Sequence, residues 1–98
     1  MLPRKYSKTV GKSIEETRQY HKCYLRAINN PLRREILRVL KDGYATIVHL
    51  QSRTGLDNDT LNWHLSILEH GFCIEKHIEE GNLVYKRTQE GKVVDYMK

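Results

Sequence analysis

The chain is poor in the residues that build rigid or covalent frameworks. Its 98 residues include two cysteines, two prolines, one phenylalanine and one tryptophan. Cys23 and Cys73 are far apart, and neither belongs to a Cys-x-x-Cys pair. This excludes a secreted disulfide scaffold. It points to reduced thiols in a cytosolic setting, with an intermolecular Cys23 bridge as a minor alternative. No apolar run approaches the ~20 residues needed to span a bilayer. Met1-Leu2-Pro3-Arg4-Lys5-Tyr6 has charge but no apolar stretch after it, so no signal peptide is expected. The five histidines, His21, His49, His64, His70 and His77, form no cluster with zinc spacing. Neither a Ser/His/Asp or Cys/His arrangement nor a glycine-rich phosphate loop is present. The expectation is a non-enzyme with no metal and no other cofactor, located in the cytoplasm.

Positive charge is what the chain has in excess. Seventeen Lys and Arg stand against twelve Asp and Glu, a net charge of +5, with an isoelectric point near 9.3. Such a balance on one small domain fits a nucleic-acid partner, beside the blander reading of a soluble basic protein. A domain of this size buries only a modest core, so oligomerisation would cover remaining apolar surface.

Residues 1–12 carry Arg4, Lys5, Lys8 and Lys12 with no acid. They read as a basic arm, either a solvated terminus or a segment that lies on DNA. Residues 13–98 read as one folded domain. Ser13-Ile14-Glu15-Glu16 is a capping box that opens a helix running to about Ile28. At ~100° per residue, Ile14, His21, Leu25 and Ile28 share one face, and Tyr20, Cys23, Tyr24 and Ala27 an adjoining one. The arc is wider than one helix needs for a small core, so the second face is expected to meet a partner subunit.

Asn30-Pro31 announces a second helix, with Asn30 as cap. Leu32, Ile36, Leu37, Val39 and Leu40 form its buried stripe, while Arg33, Arg34, Arg38 and Lys41 are expected outside. Gly43 ends it as a left-handed cap. A third helix starts near Thr46, with Ile47, Leu50 and Val48 inward. Arg53-Thr54-Gly55-Leu56 is a tight turn, and Asp57 or Asn58 caps a fourth helix ending at His70-Gly71. There Leu61, Leu65 and Leu68 make the core face. Two strands follow, Phe72–Glu79 and Leu83–Thr88, joined by Glu80-Gly81-Asn82. Thr88 caps a short last helix with Val93, Val94, Tyr96 and Met97. Two short amphipathic helices joined by a glycine-containing turn outline a helix-turn-helix, and the ribbon after it makes a wing. The fold class is α+β, mainly α.

Three segments resemble the winged helix-turn-helix regulators of the arsenical-repressor and multiple-antibiotic-repressor kind (ArsR-like and MarR-like), including their small archaeal relatives. Asn30-Pro31-Leu32-Arg33-Arg34-Glu35-Ile36-Leu37 is similar to the second helix of the first group. Thr60-Leu61-Asn62-Trp63-His64-Leu65-Ser66-Ile67-Leu68 is similar to its recognition helix. Tyr85-Lys86-Arg87-Thr88-Gln89-Glu90-Gly91-Lys92 is similar to the end of its wing. The resemblance covers residues 28–93. The third helix lacks the Cys-x-Cys of metal-sensing members. The fourth has no Lys or Arg, so the group's arginine-to-guanine contact is missing from it.

The resemblance and the residue pattern together lead to a homodimeric, sequence-specific regulator that binds double-stranded DNA and is associated with the nucleoid. Its fourth helix would lie in the major groove. Asn58, Thr60, Asn62, Trp63 and Ser66 are the base-reading candidates. Asn can bond adenine bidentately. Trp63 can meet a thymine methyl or pack on the wing, and Asp59 suits only a cytosine amine. Backbone contacts fall to Arg4, Lys5, Lys8, Arg53, Lys76, His77, Lys86 and Arg87. The dimer interface is expected at Tyr20, Cys23, Tyr24, Ala27, Val93, Tyr96 and Met97, on helices 13–29 and 88–98. His64 reads as a packed core residue before a ligand. No small-molecule effector is evident. The rival is a winged-helix protein-interaction module of a larger nucleic-acid-associated assembly, favoured by Asp57 and Asp59 at the start of the fourth helix.

Overall fold

Side-chain caps open each α-helix where the sequence places them. The computed structural model describes residues 11–97. Helix α1 spans Ile14–Ile28, with Ser13 Oγ accepting from Glu16 N at 3.1 Å. The carboxylate of Glu16 reaches back one residue further than a simple capping box, to Lys12 N. Helix α2 spans Pro31–Val39, and Asn30 Oδ1 accepts from both Leu32 N and Arg33 N. A 3-10 turn, Leu40–Asp42, follows. Helix α3 is Ile47–Thr54, capped by Thr46, and α4 is Asn58–His70, capped by Asp57. Strands β1, Ile74–Glu79, and β2, Asn82–Arg87, pair antiparallel, with Glu79 opposite Asn82. Glu80 and Gly81 form the two-residue turn, both at positive φ, as the twist of a hairpin prefers. Ala45 adds one bridge to Tyr85, which anchors the hairpin to the segment before α3. The last element is a 3-10 helix, Glu90–Tyr96. As expected, Thr88 caps it: its Oγ1 accepts from Gly91 N at 3.1 Å and donates to Phe72 O.

The core is a helical layer closed at one end by the hairpin base. Ile36, Leu37, Leu50, Leu61, Leu68, Cys73 and Val94 are its largest fully buried side chains. Four expectations are corrected. Arg33 points inward in place of Leu32, which is 45% exposed, because the last carbonyls of α1 need donors that α1 cannot supply. Val48 is 74% exposed, since α3 rests on the core through Leu50 and Ile47 alone. Gly43 has φ 137° and ψ −155°, a glycine-only region that is not the left-handed cap.

The fourth correction concerns α1, whose second face also meets the chain's own core, while of the first face Ile28 alone is buried. Ala27 is fully buried and Tyr24 packs against the same core, so the face assigned to a partner is largely used within the chain. Tyr20 sets its ring edge-on to Phe72 at 5.0 Å. Ile14 and Leu25 are instead 74% and 56% exposed.

The reason is the close approach of α1 to the end of α4. A Cβ on Gly71 would lie 2.5 Å from Ala27 Cβ and 2.8 Å from Cys23 O. Small residues on both sides let the helices touch there. The left-handed residue that ends α4 is Phe72, at φ 65°, and not Gly71. Gly71→Ala should therefore destabilise the fold by about 1–3 kcal/mol through overpacking, read from urea denaturation. An unchanged midpoint would mean that α1 does not sit this close.

Candidate nucleic-acid interface

The turn between α3 and α4 is held by local bonds that its sequence dictates. Gly55 adopts φ 74° and donates to Gln51 O at 2.8 Å. Thr54 Oγ1 donates to Leu50 O and accepts from Leu56 N. Asp57 Oδ1 accepts from Thr60 N at 2.7 Å, and that bond holds its carboxyl below the usual aspartate range. Asp57 is thus engaged as a cap, which removes it as an argument for a protein partner. Asp59 stays exposed in the first turn, where the helix dipole favours an acid.

With the turn set, α4 divides cleanly. Leu61, His64, Leu65, Ile67 and Leu68 are buried. Asn58, Asn62, Trp63 and Ser66 are exposed, and Thr60 is half-buried. Ser66 Oγ donates to Trp63 O, leaving its lone pairs outward. Trp63 does not pack on the wing. Its ring lies 5.9 Å from the Arg33 guanidinium and 5.0 Å, edge-on, from His64. The five base-reading candidates therefore lie on one helix, four of them exposed on its outer side.

His64 is a core residue, as expected. Its Nδ1 lies 3.1 Å from Arg33 Nη1. Burial first, then the Arg33 charge, holds the imidazole below its ordinary pKa.

The cationic candidates are scattered. Arg53 is exposed at the end of α3. Strand parity places His77 and Lys86 on one face of the hairpin, and Lys76 and Arg87 on the other. Lys76 Nζ lies 3.5 Å from Glu69, and His77 Nε2 lies 3.3 Å from Glu75. Arg87 is a correction. Its fork meets Asp95 at 3.0 and 2.9 Å and also reaches Leu37 O, with the side chain only 7% exposed. It ties the last helix to α2 and is not available to phosphate. Arg4, Lys5 and Lys8 lie outside the described residues.

Tyr44 is a surface residue the sequence reading missed. It is 53% exposed, with Lys86 Nζ 5.4 Å from its ring and His77 at 6.3 Å. An aromatic between Gly43 and Ala45, outside any helical stripe, was the available signal.

Of the dimer candidates, Ala27 lies in the chain's own core, while Tyr24 and Val93 pack against it. Cys23 is an exposed thiol; burial, with Glu90 nearby, pushes the Cys73 thiol up to about 12. Tyr96 is 89% exposed, and Met97 lines a groove of about 360 Å³ with Leu25, Ile28 and Asn29. Among the described residues, no group of three His, Cys, Asp or Glu is placed to hold a metal, and no helix is long and apolar enough to cross a membrane.

The Arg87–Asp95 pair has a defined pH signature. Hydrogen bonds from Arg87 hold the Asp95 carboxyl below its usual range. A depressed carboxyl stabilises the fold above the unfolded aspartate value, and the contribution is lost as pH falls through the folded one. Asp95→Asn should lower the urea midpoint near neutral pH, and the gap from wild type should close in acid. A gap that persists at the acid end would contradict this pairing.

No protein-family model matches the chain, and no curated protein is similar to it in sequence. Solved structures are similar in fold. NolR from Sinorhizobium fredii is 21% identical, with 99% of this chain and 93% of that one covered and a TM-score of 0.72. The transcriptional repressor BigR from Xylella fastidiosa is 19% identical over 86% of this chain and 88% of its own, with a TM-score of 0.69. An ArsR family transcriptional regulator is 20% identical over 81% of each chain, with a TM-score of 0.66. Four helices, a two-stranded antiparallel hairpin and a short closing helix, shared over this much of the chain, make this a winged helix-turn-helix protein.

Proposed function

We propose that the chain is a sequence-specific, homodimeric transcription regulator that binds double-stranded DNA with α4 in the major groove and the hairpin on the backbone. The observation that carries the reading is the outer side of α4. It presents Asn58, Asn62, Trp63 and Ser66 while the opposite side is locked in the core. A major groove admits one α-helix, and neutral amides there bond base edges directionally. Arg53 at the end of α3, His77 and Lys86 on one face of the hairpin, and Lys76 on the other suit phosphate, with Tyr44 beside Lys86. BigR, similar in fold, is a transcriptional repressor.

The dimer reading moves to the other side of α1. Ile14 and Leu25 are exposed there, and Leu25 shares a groove with Met97, near the exposed Tyr96. Exposed apolar surface of this kind on a small domain marks an interface. One feature favours the rival protein-interaction module. Ile78 and Leu83 pair across the hairpin, 68% and 43% exposed, next to Glu79 and Glu80 at the tip.

Duplex DNA titrated at two salt concentrations separates the readings. Log affinity should fall with log salt by about 0.9 per phosphate neutralised. No binding at low salt would leave the interaction module as the better account. Asn62→Ala should weaken the preferred site by about 1–3 kcal/mol and spare non-specific binding. Lys86→Ala should weaken all sequences and reduce the salt slope by about one. Equal losses on both kinds of DNA for Asn62→Ala would remove α4 as the reader.

Sedimentation should give twice the 11.6 kDa chain mass, and Leu25→Glu should give monomer. A monomeric wild type at micromolar concentration would refute the dimer.

A further inference from the structure

The groove-facing helix is tied to α1 through one buried side chain of α2. Arg33 is 5% exposed, and three of its nitrogens are engaged. Nε donates to Ala27 O at 2.9 Å and Nη2 to Arg26 O at 2.9 Å, while Nη1 lies 3.1 Å from His64 Nδ1. A guanidinium only donates, so His64 Nδ1 accepts. The imidazole is therefore neutral, with its proton on Nε2. His64 itself is 3% exposed, and Trp63, next in sequence, is the largest exposed side chain on α4.

We propose that the Arg33–His64 bond is a positioning contact that sets the groove-facing side of α4 against the end of α1, and that protonation of His64 releases it. The proposal rests on the DNA-binding reading of α4. An imidazolium has no lone pair at Nδ1 and would place a second cation against Arg33 at hydrogen-bond distance. In a dry site that repulsion is weakly screened. The charges around the ring offer no relief. Arg33 of α2 is the charge that acts on the imidazole. From α1, Arg26 acts on Arg33, again as a cation. Of the other elements packed on α4, α3 carries the exposed His49 and Arg53, and β1 carries Glu75 and His77, 3.3 Å apart, Lys76, 3.5 Å from Glu69 of α4, and the exposed Glu79. Release would loosen Trp63 from Arg33 and remove the link from α4 through Arg33 to the α1 carbonyls, while the direct contact of Gly71 with Ala27 stays. His64 touches no base in this scheme; it acts through the orientation of α4.

The experiment follows DNA affinity at constant ionic strength from about pH 8 down to the acid limit at which the protein stays folded, because burial and Arg33 push His64 protonation below the ordinary histidine range. Wild type is compared with His64→Gln, each normalised to its own value at the alkaline end. Gln keeps an acceptor for Arg33 and does not titrate. The other four histidines, His21, His49, His70 and His77, are common to both proteins, so their contributions cancel in the ratio. Wild type should lose affinity relative to the Gln variant by up to about tenfold per pH unit once His64 protonates. Arg33→Lys, which lacks the fork, should flatten the profile as well. Parallel profiles for wild type and His64→Gln would overturn the proposal.

Imidazole nitrogen resonances of the free wild-type protein supply a second arm. They should report the Nε2–H tautomer near neutral pH. Protonation should shift the amides of residues 26–28 together with those of α4. A proton on Nδ1, or silent amides, overturns the positioning contact even if the Gln variant fails to fold. If wild type binds no duplex at any pH, the DNA reading falls, and these resonances alone decide whether the contact is a releasable one.

Discussion

The closure of the α1 C-terminus by two arginines of the next helix is the constraint on which the rest of the arrangement depends. A helix leaves its last four carbonyls without internal partners. Here Leu25 O accepts from Asn29 N, Arg26 O and Ala27 O accept from Arg33, and Ile28 O accepts from Arg34. The sharp Asn30-Pro31 start of α2 makes this possible, since it brings the first turn of α2 back under the end of α1. Of the three N–H groups left on Arg33, one on Nη1 goes to His64 on α4. A single guanidinium thus relates three helices. Removing it would leave buried carbonyls unpaired, a larger loss than the bonds themselves.

The outer side of α4 is defined from behind. Its buried row, Leu61, His64, Leu65 and Leu68, fixes the rotation of the helix, and the rotation decides which residues point out. The outward set has no Lys or Arg and carries two acids, Asp59 and Glu69, so any general attraction to a polyanion comes from other elements. Lys86, His77 and Arg53 are exposed or half-exposed and stand on the wing and the turn. This separation of direction from attraction is what a reader of base edges requires, because phosphate contacts hold the protein while edge contacts choose the sequence. Not every cation near the wing serves it: Arg87 holds the terminal 3-10 helix down on α2 through Asp95 and Leu37 O.

The close contact of α1 and α4 shows local and tertiary demands in competition. Glycine usually ends a helix because it tolerates positive φ. In this chain the positive φ falls on Phe72, a strained choice for a bulky residue, and Gly71 is needed where α1 approaches. The edge contact of Phe72 with Tyr20 helps retain that conformation. The same approach turns Tyr24 and Ala27 into the chain's own core and leaves Ile14 and Leu25 for another surface.

Most of the element order was legible in the residues, because it depends on short-range physics. Ser13, Asn30, Thr46 and Asp57 cap helices through bonds two or three residues away, Gly55 turns where positive φ is needed, and Glu80-Gly81 closes the hairpin. The outward row of α4 was legible for the same reason, since Leu61, Leu65 and Leu68 repeat at helical spacing. What periodicity left undecided was which of two apolar faces of α1 meets the core, whether Val48 counts as inward, and where long cationic side chains end. Arg33 and Arg87 look like surface residues in a helical wheel or a strand pattern. Their partners, Ala27 O, His64, Leu37 O and Asp95, lie on other elements. A guanidinium reaches whatever unpaired acceptor the packing brings near, and only the tertiary structure determines where those acceptors are.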